Sequence, residues 1–187
     1  MKYFNFPISL LQHLDFNDTN KNVLDSIIEY AIYDISREYN GTNAEKKKYA
    51  CNFFGINNYN SDAFDNGRNL YYSNNSARVG ISKTMFFDFY SNETKTEFDW
   101  ICLLAFLGLK SIIGDKSYAK TNHKLLFSRM LGENKIVPHF LSREFVGNQS
   151  MNSILKYNTR RKKERIIDTL QDDWHLKYYS HHTRGFY

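Results

Sequence analysis

The sequence predicts a mainly α fold with a small β component, an α+β arrangement with one strongly apolar helix at its centre. Three observations carry that prediction. Apolar residues recur at helical spacing over residues 23–35 and crowd almost all round residues 97–113. Two capping boxes, Thr42-x-x-Glu45 and Thr96-x-x-Asp99, mark helix starts. Strand signals are confined to short aromatic runs, Met85–Tyr90 and Leu176–Tyr179.

At the start of the chain, Phe6-Pro7-Ile8 leads into Leu10, Leu11 and Leu14, which read as a short helix or turn. Val23, Leu24, Ile27, Ile28, Ala31, Ile32 and Ile35 then define an amphipathic helix. Asp18, Thr19 or Asn20 can cap it, and Asn40-Gly41 can stop it. A third helix runs from the Thr42 box to Gly55. Its Lys46, Lys47 and Lys48 stand at the positive end of the helix dipole, where cations are solvated, mildly costly, or used in a contact. Residues 56–80 are rich in Asn, Ser, Asp and Gly, which is loop chemistry. Ile81–Tyr90 reads as a strand.

The helix Glu97–Ile113 is apolar around most of its circumference, which marks it for the middle of a core. Gly114 ends it. Thr121 is placed to cap a short helix, Asn122–Leu131, which Gly132 stops. Residues 133–157 contain Pro138 and room for short helices near Ser142–Val146 and Met151–Tyr157. Thr159 caps a final helix, Arg160–Trp174. An aromatic strand and a basic turn, His181-His182-Thr183-Arg184-Gly185, complete the pattern. The expected division is an N-terminal helical region (1–56), an Asn-rich loop and strand segment (57–96) and a third region (97–187).

Charge is split between the halves. Residues 1–100 carry 10 Lys and Arg against 13 Asp and Glu, a net −3; residues 101–187 carry 15 against 7, a net +8. That asymmetry points to a surface for a polyanion in the second half. Cys51 and Cys102 sit in separate apolar patterns with no partner ligand at metal spacing. Two buried free thiols are expected, with no metal and no cofactor. No basic segment followed by an apolar signal run is found. The longest apolar run, Trp100–Leu109, is about half a membrane span. The expectation is a cytoplasmic protein without membrane contact.

The segments KTNHKLLFSRMLG, YNTRRKKERIIDTL and LKYYSHHTRGFY follow the long apolar helix in the order short helix, final helix, hairpin. In that order residues 97–187 resemble the winged helix-turn-helix DNA-binding proteins, with an insertion at about 133–157. The resemblance implies non-catalytic binding of double-stranded DNA, with helix 160–174 in recognition and the hairpin as wing. On the last helix Ile166, Ile167, Leu170 and Trp174 form an apolar stripe, opposite Arg161, Arg165, Asp168 and Asp172. Arg160 and Lys162 flank the first turn, and Lys163 falls towards the edge of the stripe. Arg161 and Arg165 therefore face outward near the end from which recognition helices reach base edges, although Asp168 is placed to pair with Arg165. Thr159, Arg160, Arg161, Lys162 and Arg165 make the expected reading set. Thr121, Asn122, Lys124 and Arg129 of the short helix are candidates for phosphate contacts. Lys177, His182 and Arg184 are the hairpin candidates, Arg184 for a phosphate or the minor groove.

Size, composition and element order are generally similar to replication-initiation and transcription-regulatory factors of bacteria, phages and mobile elements, which extends the expectation to such a role. The acidic N-terminal helices are candidates for a homodimer contact or a protein partner. A winged helix serving as a protein-interaction module is the alternative. His181-x-x-Arg184 with Tyr187 has the residue types of tyrosine recombinases without their spacing. Asp88 with Glu93-x-Lys95, after a strand, is a short match to a metal-dependent nuclease core and a lesser alternative. His-Glu-x-x-His, a Walker loop and a Gly-rich dinucleotide turn do not occur. The sequence thus reads as non-enzymatic.

Overall fold

Alternation at the start of the chain makes a strand ahead of the short helix that the leucines suggested. Phe4 and Phe6 are buried while Tyr3 is 60% exposed, the period of two that one face of a sheet demands. The computed structural model describes residues 3–13, 21–56, 61–91, 96–116, 119–136, 156–157, 159–173, 178–179 and 185–186. Within them, β1 (Tyr3–Pro7) pairs antiparallel with β2 (Arg78–Ser82), Tyr3 opposite Ser82 and Pro7 opposite Arg78. A 3-10 helix, Ile8–His13, follows β1 and buries Leu10 and Leu11.

The expected amphipathic helix is α1 (Lys21–Glu38), with Ile27, Ala31, Ile32 and Ile35 buried. Its cap candidates Asp18, Thr19 and Asn20 lie outside the described residues. α2 (Asn43–Phe54) begins as its capping box dictates. The Thr42 hydroxyl accepts from the Glu45 N–H, and the Glu45 carboxylate accepts from the Thr42 N–H. It ends at Gly55, where φ is 70°. Lys47, at the unfavourable end of the dipole, lies 4.6 Å over the Phe64 ring.

Two further elements correct the sequence reading. Part of the Asn-rich stretch is a helix, α3 (Ser61–Ser73), not loop. Phe64, Gly67 and Tyr71 fall on one stripe, and α3 packs on α1 through it. Gly67 is the point of closest approach: a Cβ there would overlap the Glu29 carbonyl. The aromatic run after β2 is α4 (Lys83–Ser91) rather than a strand over Ile81–Tyr90. Thr84 and Asp88, one turn apart, are exposed, whereas Phe86 is fully buried and meets Phe4 and Phe87 edge-on. Packing among rings has overridden the β preference of the aromatics.

α5 (Glu97–Ile113) starts at the Thr96 box and ends at Gly114. Trp100, Ile101, Leu103, Leu104, Leu107 and Leu109 are all buried. α5 touches β2, the 3-10 helix, α6 (His123–Met130) and α7 (Arg160–Asp172). α1 touches β1, α2 and α3. One apolar cluster extends from Phe4 to Leu170, so all three sequence segments contribute to it. A second small sheet joins β3 (Ala119–Lys120), β4 (Tyr178–Tyr179) and β5 (Gly185–Phe186). Cys51 and Cys102 are free and buried; burial pushes both thiols up, Cys102 to about 12. Among the described residues no helix is long and apolar enough to cross a membrane.

Glycine to alanine inside a helix ordinarily stabilises by about 1 kcal/mol. At Gly67 the sign reverses, because the added methyl presses on backbone. Gly67→Ala is expected to destabilise by about 1–3 kcal/mol. A urea titration checks this as a lowered midpoint at unchanged slope.

Candidate nucleic-acid interface

Among the described residues, the region that the charge asymmetry singled out contains α5, α6, α7 and the strands β3, β4 and β5. α5 lies at its centre, and α6 and α7 both pack on it. α7 buries Ile166, Ile167 and Leu170, the predicted stripe; Trp174 lies outside the described residues. Lys163 sits at the stripe's edge, half-buried, with its ammonium 5.5 Å over the Phe127 ring of α6. Burial lowers its pKa. This contact sets the start of α7 beside α6. Arg161 stands two residues before Lys163, and Lys124 three before Phe127.

The hairpin is tied to the same unit. β5 lies between β3 and β4, with Ala119 opposite Phe186 and Tyr178 opposite the same Phe186. β3 comes between α5 and α6 in the chain, so the last strand is anchored to the helices. A two-residue strand at Ala119–Lys120 has no hydropathy pattern that a sequence reading can detect. Lys177, His182 and Arg184 lie outside the described residues, as do His181 and Tyr187.

The helix-start residues divide into those held by the protein and those left to solvent. Asn122, not Thr121, caps α6: its Oδ1 accepts from the Leu125 N–H at 2.9 Å. Thr121 is half-buried, and its hydroxyl donates to the Asn122 carbonyl at 3.4 Å. Lys124 is exposed. Arg129 turns inward instead of joining the surface. Its Nε and Nη1 are shielded without an acceptor among the described residues, and burial lowers its pKa.

Thr159 occupies the cap position of α7, but its side chain makes no capping bond. Arg160 is 92% exposed and pairs with Glu164 at 2.9 Å, an i,i+4 pair that solvent weakens. Lys162 donates to the Lys156 carbonyl at 2.9 Å and lies 5.1 Å over the Tyr157 ring, fixing the approach to the helix. Arg165 is exposed. Its guanidinium lies 4.0 Å over the Phe98 ring at the start of α5, rather than pairing with Asp168. Arg161 is exposed with no partner among the described residues.

Asp88, the carboxylate of the nuclease alternative, is exposed on helix α4 rather than at the end of a strand; Glu93 and Lys95 lie outside the described residues. Among the described residues no three His, Cys, Asp or Glu side chains gather as a metal site. No protein-family model, curated protein or solved structure matches the chain.

The ring under Arg165 gives this arginine a structural role that Arg161 lacks. Arg165→Ala is expected to destabilise by about 0.5–1 kcal/mol. Arg161→Ala is expected to stay within about 0.5 kcal/mol of the parent chain. Paired urea titrations distinguish them.

Proposed function

We propose that residues 97–187 form a winged helix-turn-helix domain that binds double-stranded DNA without catalysis. The observation that carries this reading is the strand order β3-β5-β4, which anchors a terminal hairpin to the unit that presents α7. A wing needs that anchorage: a free hairpin would lose its ordering entropy on every binding event. The net +8 of residues 101–187 supplies the attraction for phosphate.

In this reading Arg161 and Arg160 approach base edges from the start of α7, with the Thr159 hydroxyl, which makes no capping bond, beside them. Lys124 and the α6 start meet backbone phosphate, and Lys177, His182 and Arg184 act from the hairpin. Lys162 and Arg165 hold α7 in place while adding to its field. The general resemblance in size, composition and element order extends this reading to a replication-initiation or transcription-regulatory role in a bacterium, phage or mobile element, beside DNA in the cytoplasm.

The double variant Arg160→Glu/Arg161→Glu should lower duplex affinity at least about tenfold with the fold intact. It should also make the salt dependence shallower, by roughly one log unit per log of salt for each phosphate that the variant no longer neutralises. Gel-shift titrations at two salt concentrations measure both. No duplex affinity at about 50 mM salt would instead favour a protein-interaction module on the same scaffold.

A further inference from the structure

A second set of cations and rings lies where α1 meets α3 and β2. α1 presents Tyr33 and Arg37 one turn apart. α3 presents Arg68 and, one turn on, Tyr71 and Tyr72; β2 adds Arg78. The Tyr33 hydroxyl donates to the Tyr72 hydroxyl at 3.4 Å. Tyr71 meets Tyr33 and Tyr72 edge-on, at 5.3 and 5.4 Å between centroids. Two guanidiniums flank the Tyr71 ring, Arg37 at 4.6 Å and Arg78 at 4.5 Å, and Arg37 also donates to its hydroxyl.

Charge in this group is not balanced. Asp34 is its carboxylate; it pairs with Arg78 at 3.6 Å and accepts from Asn5. Glu29, on the same helix, accepts from Asn66. Arg37 and Arg68 pair with no carboxylate among the described residues. Both act electrostatically on the Tyr72 hydroxyl, whose pKa is lowered first by the hydrogen bond with Tyr33 and then by these two arginines. The packing of α1 on α3 rests on Gly67, Phe64, Tyr33 and Tyr71. Arg68, which is exposed, makes none of these contacts; Tyr72 adds an edge contact and the hydrogen bond with Tyr33 yet remains 64% exposed.

Guanidinium forks match the oxygens of a phosphate diester. An exposed ring offers a π face to a base, and that face is free only when the base is unpaired. We propose that this face binds single-stranded nucleic acid, with Arg37 and Arg68 on a backbone phosphate and Tyr72 as a stacking platform. The site stands apart from the duplex reading of the C-terminal helices and does not depend on it.

The test is fluorescence anisotropy of the full chain with a labelled thymine oligonucleotide of about 15 nucleotides, and with a duplex, at about 50 mM salt. Arg68→Glu and Tyr72→Ala should each weaken single-strand binding by about tenfold or more, whereas Tyr72→Phe keeps it. Duplex binding should be unchanged in all three, and Arg160→Glu/Arg161→Glu should leave single-strand binding in place. Thermal melts confirm that the exposed substitutions leave the fold intact. Three results overturn the proposal: no single-strand affinity, affinity indifferent to both Arg68→Glu and Tyr72→Ala, or an equal loss of duplex binding in those variants.

Discussion

Helix α5 must lose its water on nearly every side, and the rest of the chain is arranged to let it. A fully buried large apolar side chain contributes about 1.5–3 kcal/mol. Leaving one face of α5 open would therefore cost an amount comparable with the roughly 5–15 kcal/mol by which a domain is stable. β2 and the 3-10 helix cover it from the N-terminal side of the sequence, α6 and α7 from the C-terminal side. α6 comes close because Gly108 presents no side chain; a Cβ there would stand 3.3 Å from Arg129 Cβ and from the Met130 nitrogen. The candidate interface is thus built on a helix whose burial also requires the N-terminal half.

This dependence explains how the cations of α7 are used. Five of the first six residues of α7 are Lys or Arg, at the end where the helix dipole disfavours them. The apolar stripe below is narrow, with Ile166, Ile167 and Leu170 buried. Lys163 over Phe127 and Arg165 over Phe98 widen the attachment by laying charged ends on rings. Lys162 does the same for Tyr157. Part of the basic run is therefore fastening, while Arg160 and Arg161 stay exposed at the start of the helix and touch no ring among the described residues.

What the sequence made legible follows from how local each signal is. The capping boxes at Thr42 and Thr96 fixed the starts of α2 and α5 to the residue, because a cap involves only its own first turn. The all-round apolar pattern identified α5 as central. α3 was hidden because its contact stripe runs through Gly67, a residue read as a breaker, among many Asn. α4 was misread because Phe86 and Phe87 carry strand preference, and only Phe4 across the core decides otherwise. β1 was masked by the leucines that follow it. In the candidate site, exposure of Lys124 and Arg161 and the half-buried position of Lys163 were readable from helical geometry. The ring beneath Arg165 and the inward turn of Arg129 were not, since each depends on a neighbour distant in the chain.

Hydrogen exchange of the whole chain tests the central position of α5 most directly. The amides of α5 should exchange only through global unfolding, and those of α1 and α7 that contribute to the shared cluster should lose protection in the same cooperative step. Exchange of α6 and α7 as a unit, at a lower free energy and with the N-terminal half still protected, would mean two separate cores and would contradict this account.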